Sequence, residues 1–217
     1  MKLILGLGVT GLSVARFFIR NNISFRIADS RQDPPMLQIC KNENLLHDFY
    51  FGDWSESLLE DISEVIISPG IAESESIVRW IRAKNISIIS DIELFGRYVK
   101  APMIGITGSN GKSTVTQLLG EMALASSLKA YICGNIGNPV MECISDDAEL
   151  YIVELSSYQL DYTNKLDLFA GVITNISPDH LDRYSSYSNY ISSKLSIYDY
   201  SMFNIINLNE PEVNGIS

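Results

Sequence analysis

The sequence predicts two consecutive α/β units, each built on a parallel sheet, and three observations carry that prediction. Short apolar runs alternate with segments of helical periodicity along the chain. Two of those runs end in glycine-rich corners, Gly6-Leu-Gly8-Val-Thr-Gly11 and Gly108-Ser-Asn-Gly111. Between the two patterns stands Ala101-Pro102, a break in regular structure that puts the units at 1–98 and 99–217.

The bulk properties agree. A chain of 217 residues suits one large or two small domains. With 46% hydrophobic and 19% charged residues it has the makings of a packed core. Sixteen basic against 26 acidic side chains give a net charge of −10, which argues against a nucleic-acid partner, because phosphate backbones need clustered Lys and Arg. Cys40, Cys133 and Cys143 are unpatterned and read as reduced thiols of a cytoplasmic protein. The N-terminus reaches glycine too early for a signal peptide, and no apolar run approaches the ~18 residues of a membrane span. Oligomeric state is left open.

Leu3-Ile-Leu5 is the first strand and the segment after Gly11 a helix through Leu12, Ala15, Phe17, Phe18 and Ile19. Phe25 to Ala28 is the second strand, ending at Asp29-Ser30-Arg31. Three glycines at a strand-to-helix turn with an acidic residue about 20 positions on form a Rossmann-like, dinucleotide-type fingerprint. The same turn serves any ligand carrying a diphosphate, so NAD, FAD and other nucleotides stay open. Asp29 is a candidate acceptor for a ribose hydroxyl, while Arg31 is a candidate donor to a phosphate. Phe49-Tyr-Phe51 and Glu64 to Ser68 are further strands, the second ending in Pro69-Gly70 on the edge where such sheets bind ligands. A helix from Ser74 to Ala83, a strand over Ile86–Ile89 and a helical connection from Ile92 to Val99 complete the unit.

The second unit starts with the apolar strand Met103–Ile106 and the loop Thr107-Gly-Ser-Asn-Gly111. Lys112-Ser113-Thr114 then opens a helix whose apolar stripe is Val115, Leu118, Leu119, Met122 and Leu124. Strand, glycine loop and helix with Lys and Ser at its start suit a triphosphate: loop and first-turn amides converge, and the helix dipole favours negative charge. On this P-loop-type pattern Gly108, Ser109, Asn110, Gly111, Lys112, Ser113 and Thr114 are candidate ATP contacts, Lys112 reaching the β- and γ-phosphates and Ser113 holding Mg²⁺. The usual first glycine of such loops is Ile106 here. Strands follow at Ala130–Cys133, Leu150–Glu154 and Ala170–Thr174. Glu154 falls at a strand's carboxyl end, on the loop's side of the sheet, suited to Mg²⁺. His180, in the exit loop after the third of these strands, reads evenly as structural or functional. A helix over 190–198 buries Ile191, Leu195 and Tyr198, and Lys194 beside that stripe reads, from the residues alone, as a lysine snorkelling past apolar neighbours. Phe203 to Asn207 is the last strand.

Taken in order, Gly105-Ile-Thr-Gly-Ser-Asn-Gly-Lys-Ser-Thr114, Glu154-Leu-Ser-Ser-Tyr-Gln159, Asn175-Ile-Ser-Pro-Asp-His-Leu-Asp182 and Tyr190-Ile-Ser-Ser-Lys194 resemble the Mur ligases, the ATP-dependent amide-forming enzymes of peptidoglycan assembly. Gly8-Val-Thr-Gly-Leu-Ser13, Ser68-Pro-Gly-Ile71 and Asp91-Ile-Glu-Leu-Phe95 narrow the resemblance to members that add D-glutamate to UDP-N-acetylmuramoyl-L-alanine. The resemblance implies that the first unit holds the UDP of that substrate through Val9, Thr10, Ser30, Arg31 and Gly70, with Asn135 and Ser156 on its sugar-peptide arm. It implies Mg²⁺ on Ser113, Glu154, His180 and Lys194, the last as a carbamate formed with CO₂, and it counts Lys112, Glu154, His180 and Lys194 as catalytic. It also implies a third, C-terminal domain and further central strands that the residues after Asn207 do not supply. The expectation is therefore an incomplete central domain with an exposed sheet edge. Three alternatives stand beside a ligase: a nucleotide-binding module without turnover, a Mur ligase for another amino acid, and an NAD-dependent oxidoreductase resting on Gly6, Gly8, Gly11 and Asp29.

Overall fold

A computed structural model describes residues 1–179 and 183–213. The chain divides into two compact units, Met1–Leu94 and Phe95–Ser217. In the first, the elements run β1 (Lys2–Leu5), α1 (Val9–Arg20), β2 (Phe25–Asp29), α2 (Leu37–Asn42), β3 (Phe49–Phe51), β4 (Glu64–Ile67), α3 (Ser76–Ala83) and β5 (Ser87–Ile89). Helix α4 (Asp91–Gly96) carries the chain into the second unit. The sheet order is β3-β2-β1-β4-β5, and every pairing is parallel. Leu3, Ile4, Leu5, Ile27, Val65, Ile66 and Ile67 are fully buried, which accounts for the unbroken apolar runs: a strand covered on both faces has no polar side to show. Phe17 and Phe18 of α1, and Ile77, Val78 and Ile81 of α3, are buried with them.

The second unit runs β6 (Met103–Thr107), α5 (Lys112–Ala125), β7 (Ala130–Gly134), β8 (Leu150–Glu154), α6 (Ser157–Asp161), β9 (Leu168–Ile173), α7 (Tyr187–Leu195) and β10 (Ser201–Ile205). Its sheet is also parallel, in the order β10-β9-β6-β8-β7. In both sheets the central strand, β1 or β6, pairs on one side with the next strand but one or more along the chain. That places a topological switch point at its carboxyl end, where open α/β sheets bind ligands. Among the described residues no helix is long and apolar enough to cross a membrane.

Two expectations are corrected here. Helix α5 does not bury the stripe read from its sequence: Leu118, Met122 and Leu124 are each more than half exposed. It buries Thr116, Gly120 and Ala123 instead, with Val115 and Leu119 half covered against Ile106, Ile132 and Ile152. The cause is Gly120, which lies so close to the sheet that a Cβ there would stand 2.2 Å from Ile132 Cδ1. Small residues therefore set the contact face. Helix α7 begins and ends three residues earlier than expected, and its buried set is Tyr190, Ser193 and Lys194. Lys194 is 2% exposed, so it does not snorkel to solvent.

Candidate functional site

In the first unit a cleft of about 430 Å³ opens at the carboxyl ends of β1, β2 and β4. Val9, Thr10, Ser30, Arg31 and Gly70 all line it, together with Asp29, Trp54 and Glu75. Asp29 is buried and fully used by its own neighbourhood. Its Oδ2 accepts from the Leu7 amide at 2.7 Å and from Arg31 Nη2 at 2.6 Å, and its Oδ1 accepts from the Arg31 amide and Nε. Burial pushes this carboxyl up, but the Arg31 and Leu7 hydrogen bonds outweigh it and hold it below the usual range. Asp29 thus fastens the glycine turn through the Leu7 amide. Arg31 is committed to Asp29 through two nitrogens while remaining on the cleft wall. Trp54 and Glu75, joined by a 3.0 Å bond from the indole N–H, were not legible from sequence, since neither belongs to the glycine pattern.

In the second unit the loop after β6 is clasped by the exit of β9. The Ser109 amide donates to Asn175 O and the Asn110 amide to Asn175 Oδ1, both at 2.9 Å. Asn175 Nδ2 and Thr174 Oγ1 donate back to Asn110 O. Ser109 Oγ donates to Ser177 O, accepts from the Ser177 amide, and lies 2.8 Å from Tyr190 Oη. This corrects the expectation that all the loop amides converge on a ligand: two of them hold the loop to Asn175. The amides available are those of the first turn of α5, at Lys112, Ser113 and Thr114, because a helix start leaves its N–H groups without intrahelical partners. Ser113 and Thr114 are exposed. Gly108 is required by the clasp: with φ of +145°, a Cβ would fall 2.0 Å from Thr174 Oγ1. Asn175, Ser177 and Tyr190 carried a signal in sequence only through the segments they stand in, not through any chemistry of their own.

Two lysines meet at one carbonyl. Lys112 Nζ donates to Gly108 O at 2.8 Å and to Ser109 O at 3.1 Å. Lys194 Nζ, arriving from α7, donates to the same Gly108 O at 2.9 Å and lies 4.7 Å from the Tyr190 ring centroid. Burial, and then the Lys112 charge, push Lys194 down to about 7, against weaker support from Asp179 and Asp161.

Glu154, at the end of β8, pairs in register with Ile106, just before the loop. It is 1% exposed. Oε1 accepts from Asn135 Nδ2 at 2.9 Å, while Oε2 has no hydrogen-bond partner among the described residues. A buried carboxylate oxygen without a partner is costly unless a cation takes it, and carboxylate and hydroxyl oxygens such as those of Glu154 and Ser113 are hard donors of the kind Mg²⁺ takes. The residues present therefore fit that ion. No group of three His, Cys, Asp or Glu side chains close enough to hold a metal occurs among the described residues, and His180 lies outside them. Ser156 serves locally as the cap of α6: its Oγ accepts from the Gln159 amide and Gln159 Oε1 from the Ser156 amide. Gly134, whose φ is +109°, lets β7 turn beside Glu154. A Cβ there would lie 2.2 Å from Glu154 O, which is backbone and has no room to retreat. Gly134→Ala is expected to destabilise the chain by about 1–3 kcal/mol or more, seen as a lowered midpoint in thermal denaturation.

Residues 1–90 match the family described as Mur ligase MurD-like, N-terminal domain, and residues 106–216 match the Mur ligase middle domain. A UDP-N-acetylmuramoylalanine--D-glutamate ligase of Coxiella burnetii is 42% identical over 98% of this chain and 48% of its own length. The ligase of the same name from Nitrosococcus oceani is 44% identical over 99% of this chain, again 48% of its own length. The chain thus spans about half the length of the curated relatives it matches. In fold it is similar to the UDP-N-acetylmuramate:L-alanyl-gamma-D-glutamyl-meso-diaminopimelate ligase of Neisseria meningitides, with TM-score 0.63 and 15% identity over 99% of this chain and 73% of that one. It is likewise similar to UDP-N-acetylmuramate-alanine ligase of Thermotoga maritima, with TM-score 0.58 and 16% identity over 99% of this chain and 50% of that one. With an N-terminal and a middle domain matched in order over two parallel α/β sheets, the chain belongs to the Mur ligase family.

Proposed function

We propose that this chain is the UDP-substrate-binding and ATP-binding part of a cytoplasmic ligase that joins D-glutamate to UDP-N-acetylmuramoyl-L-alanine through an acyl phosphate. The observation that carries the reading is Glu154, a buried carboxylate with one oxygen unpartnered, held at a strand end beside the loop that presents Lys112. The names of the relatives supply the substrate class.

In this reading Val9, Thr10, Ser30, Arg31 and Gly70 seat the uridine diphosphate in the first unit's cleft. The first turn of α5 and Lys112 take the β- and γ-phosphates of ATP, with Gly108 to Thr114 as the cradle. Lys112 then leaves the Gly108 and Ser109 carbonyls for the phosphates and offsets charge during transfer to the alanyl carboxylate. Ser113, Glu154, a Lys194 carbamate and His180 would hold Mg²⁺, which when bound supplies further charge stabilisation for phosphoryl transfer. A lysine that titrates near 7 holds a large share of free amine at neutral pH. That amine adds to CO₂: a C–N bond forms, one C=O π bond gives way to the carboxylate, and an N–H proton leaves, so the neutral amine becomes a carbamate anion beside Gly108 O. Asn135 and Ser156 border the arm of the substrate, Ser156 while capping α6. The amine of D-glutamate attacks the acyl phosphate, giving an amide and inorganic phosphate.

A second reading is nucleotide binding without turnover, for which the cleft of the first unit and the first turn of α5 suffice. Calorimetric titration of the chain with UDP, ATP and NADH is expected to show binding of the first two and none of the third. NADH binding without UDP would overturn the assignment in favour of an oxidoreductase. ADP release on adding UDP-N-acetylmuramoyl-L-alanine and D-glutamate separates the ligase from the silent module.

A further inference from the structure

Two carboxylates line the first unit's cleft, and their bonding differs. Asp29 is 2% exposed, and each of its oxygens already accepts two hydrogen bonds, from the Leu7 amide and three nitrogens of Arg31. An ionised carboxylate has about four lone-pair sites, so Asp29 has none left for a ligand. Glu75 is half-buried on the same wall. It stands at the N-cap of α3 but makes no side-chain bond to its own helix. Its Oε2 instead accepts the Trp54 indole N–H at 3.0 Å, and its Oε1 takes no hydrogen bond from any described residue. The pair joins the two flanks of the cleft. Trp54 follows β3 and Glu75 follows β4, and β2 and β1 lie between those strands in the sheet. Glu75 is therefore a charged acceptor, fixed through one oxygen and open at the other.

We propose that Glu75 accepts the ribose hydroxyls of the nucleotide in this cleft, and that Trp54 is the positioning residue that aims it. The inference rests on the reading of the cleft as a uridine diphosphate site and adds the group that recognises the sugar. In a dinucleotide-type fingerprint the acidic residue after the second strand takes the ribose. Here that residue is Asp29, which is saturated, so the task falls to the cleft's other carboxylate. Glu75 does not suit the diphosphate, because a carboxylate only accepts and repels an anion. The diphosphate belongs instead at the start of α1, where the N-cap is Gly8 and no side chain takes the first amides. The uracil base has a single N–H, set between two carbonyl oxygens that would face the carboxylate with like charge. The ribose has two adjacent hydroxyls, both able to donate.

The test is calorimetric titration of the 217-residue chain with UDP and with its 2′,3′-dideoxy analogue. The wild type is expected to bind UDP at least about tenfold more tightly, because a charged acceptor left without its donor penalises the analogue. Glu75→Met keeps the length of the side chain and removes both acceptors, and is expected to bring the two affinities within about twofold of each other. Trp54→Phe keeps an aromatic ring and loses the N–H, and is expected to cut the preference for UDP at least about threefold. Glu75→Met also removes a negative charge from a cleft that takes an anion, so the ratio of the two affinities is the readout, with circular dichroism confirming the fold. The wild-type comparison needs no variant. Equal affinities in the wild type, or an undiminished ratio in either variant, overturn the proposal while the uridine diphosphate reading stands. A wild type that binds no UDP overturns both.

Discussion

Lys112→Ala is expected to lower ATP affinity at least about tenfold, because a charge-assisted hydrogen bond to phosphate contributes roughly 1.5–3 kcal/mol. Its Nζ rests on two carbonyls of its own loop, a position an approaching triphosphate exchanges for phosphate oxygens. The clasp between Asn110 and Asn175 does not involve Lys112, so the loop keeps its shape in the variant. Titration calorimetry with ATP reads the loss, and circular dichroism confirms the fold. Unchanged affinity would remove Lys112 from the nucleotide site. The variant has a second consequence. Lys112 is one of the two causes that depress Lys194, so its removal moves the Lys194 titration upward, away from 7.

Lys194 makes folding stability depend on pH between about 7 and 10.5. Its unfolded value is 10.5 and its folded value about 7, so below pH 7 both states are protonated and the native state bears the full cost of a buried ammonium. Above pH 7 the folded chain sheds this proton while the unfolded chain keeps it, so stability rises with pH until about 10.5. The slope is at most about 1.4 kcal/mol per pH unit. In CO₂-free buffer, urea unfolding between pH 7.5 and 8.5 is expected to show a rising midpoint for the wild type. Lys194→Met is expected to be flat across that window relative to wild type, and more stable than wild type at pH 6. Parallel curves for the two proteins would mean that Lys194 is not held neutral by its surroundings. The window stops short of the range in which tyrosines titrate.

The buried position of Lys194 also marks the limit of reading one segment at a time. On its own helix the residue borders an apolar stripe, and a snorkelling lysine satisfies every local rule. What buries it is Gly108 O, 86 positions away, together with the Tyr190 ring and the clasp that fixes the loop. Helix α5 teaches the same lesson in reverse. Its leucines and methionine fit a helical stripe, yet the close approach at Gly120 turns Thr116, Gly120 and Ala123 to the sheet and leaves Leu118, Met122 and Leu124 outside. Asn175 belongs to a segment noticed in sequence, but its part in holding Ser109 and Asn110 is a contact between distant turns.

The sequence by itself determined the succession of strands and helices, the parallel character of both sheets, and the two glycine corners at strand ends. These follow from periodicity and from backbone freedom, which act over a few neighbouring residues. Only the tertiary structure decided which face each helix buries, that Asp29 and Arg31 hold each other, that two lysines share Gly108 O, and that one oxygen of Glu154 goes unpartnered. Those outcomes depend on groups far apart in the chain competing for the same space and the same hydrogen bonds, and such competition is resolved only when the sheets are assembled.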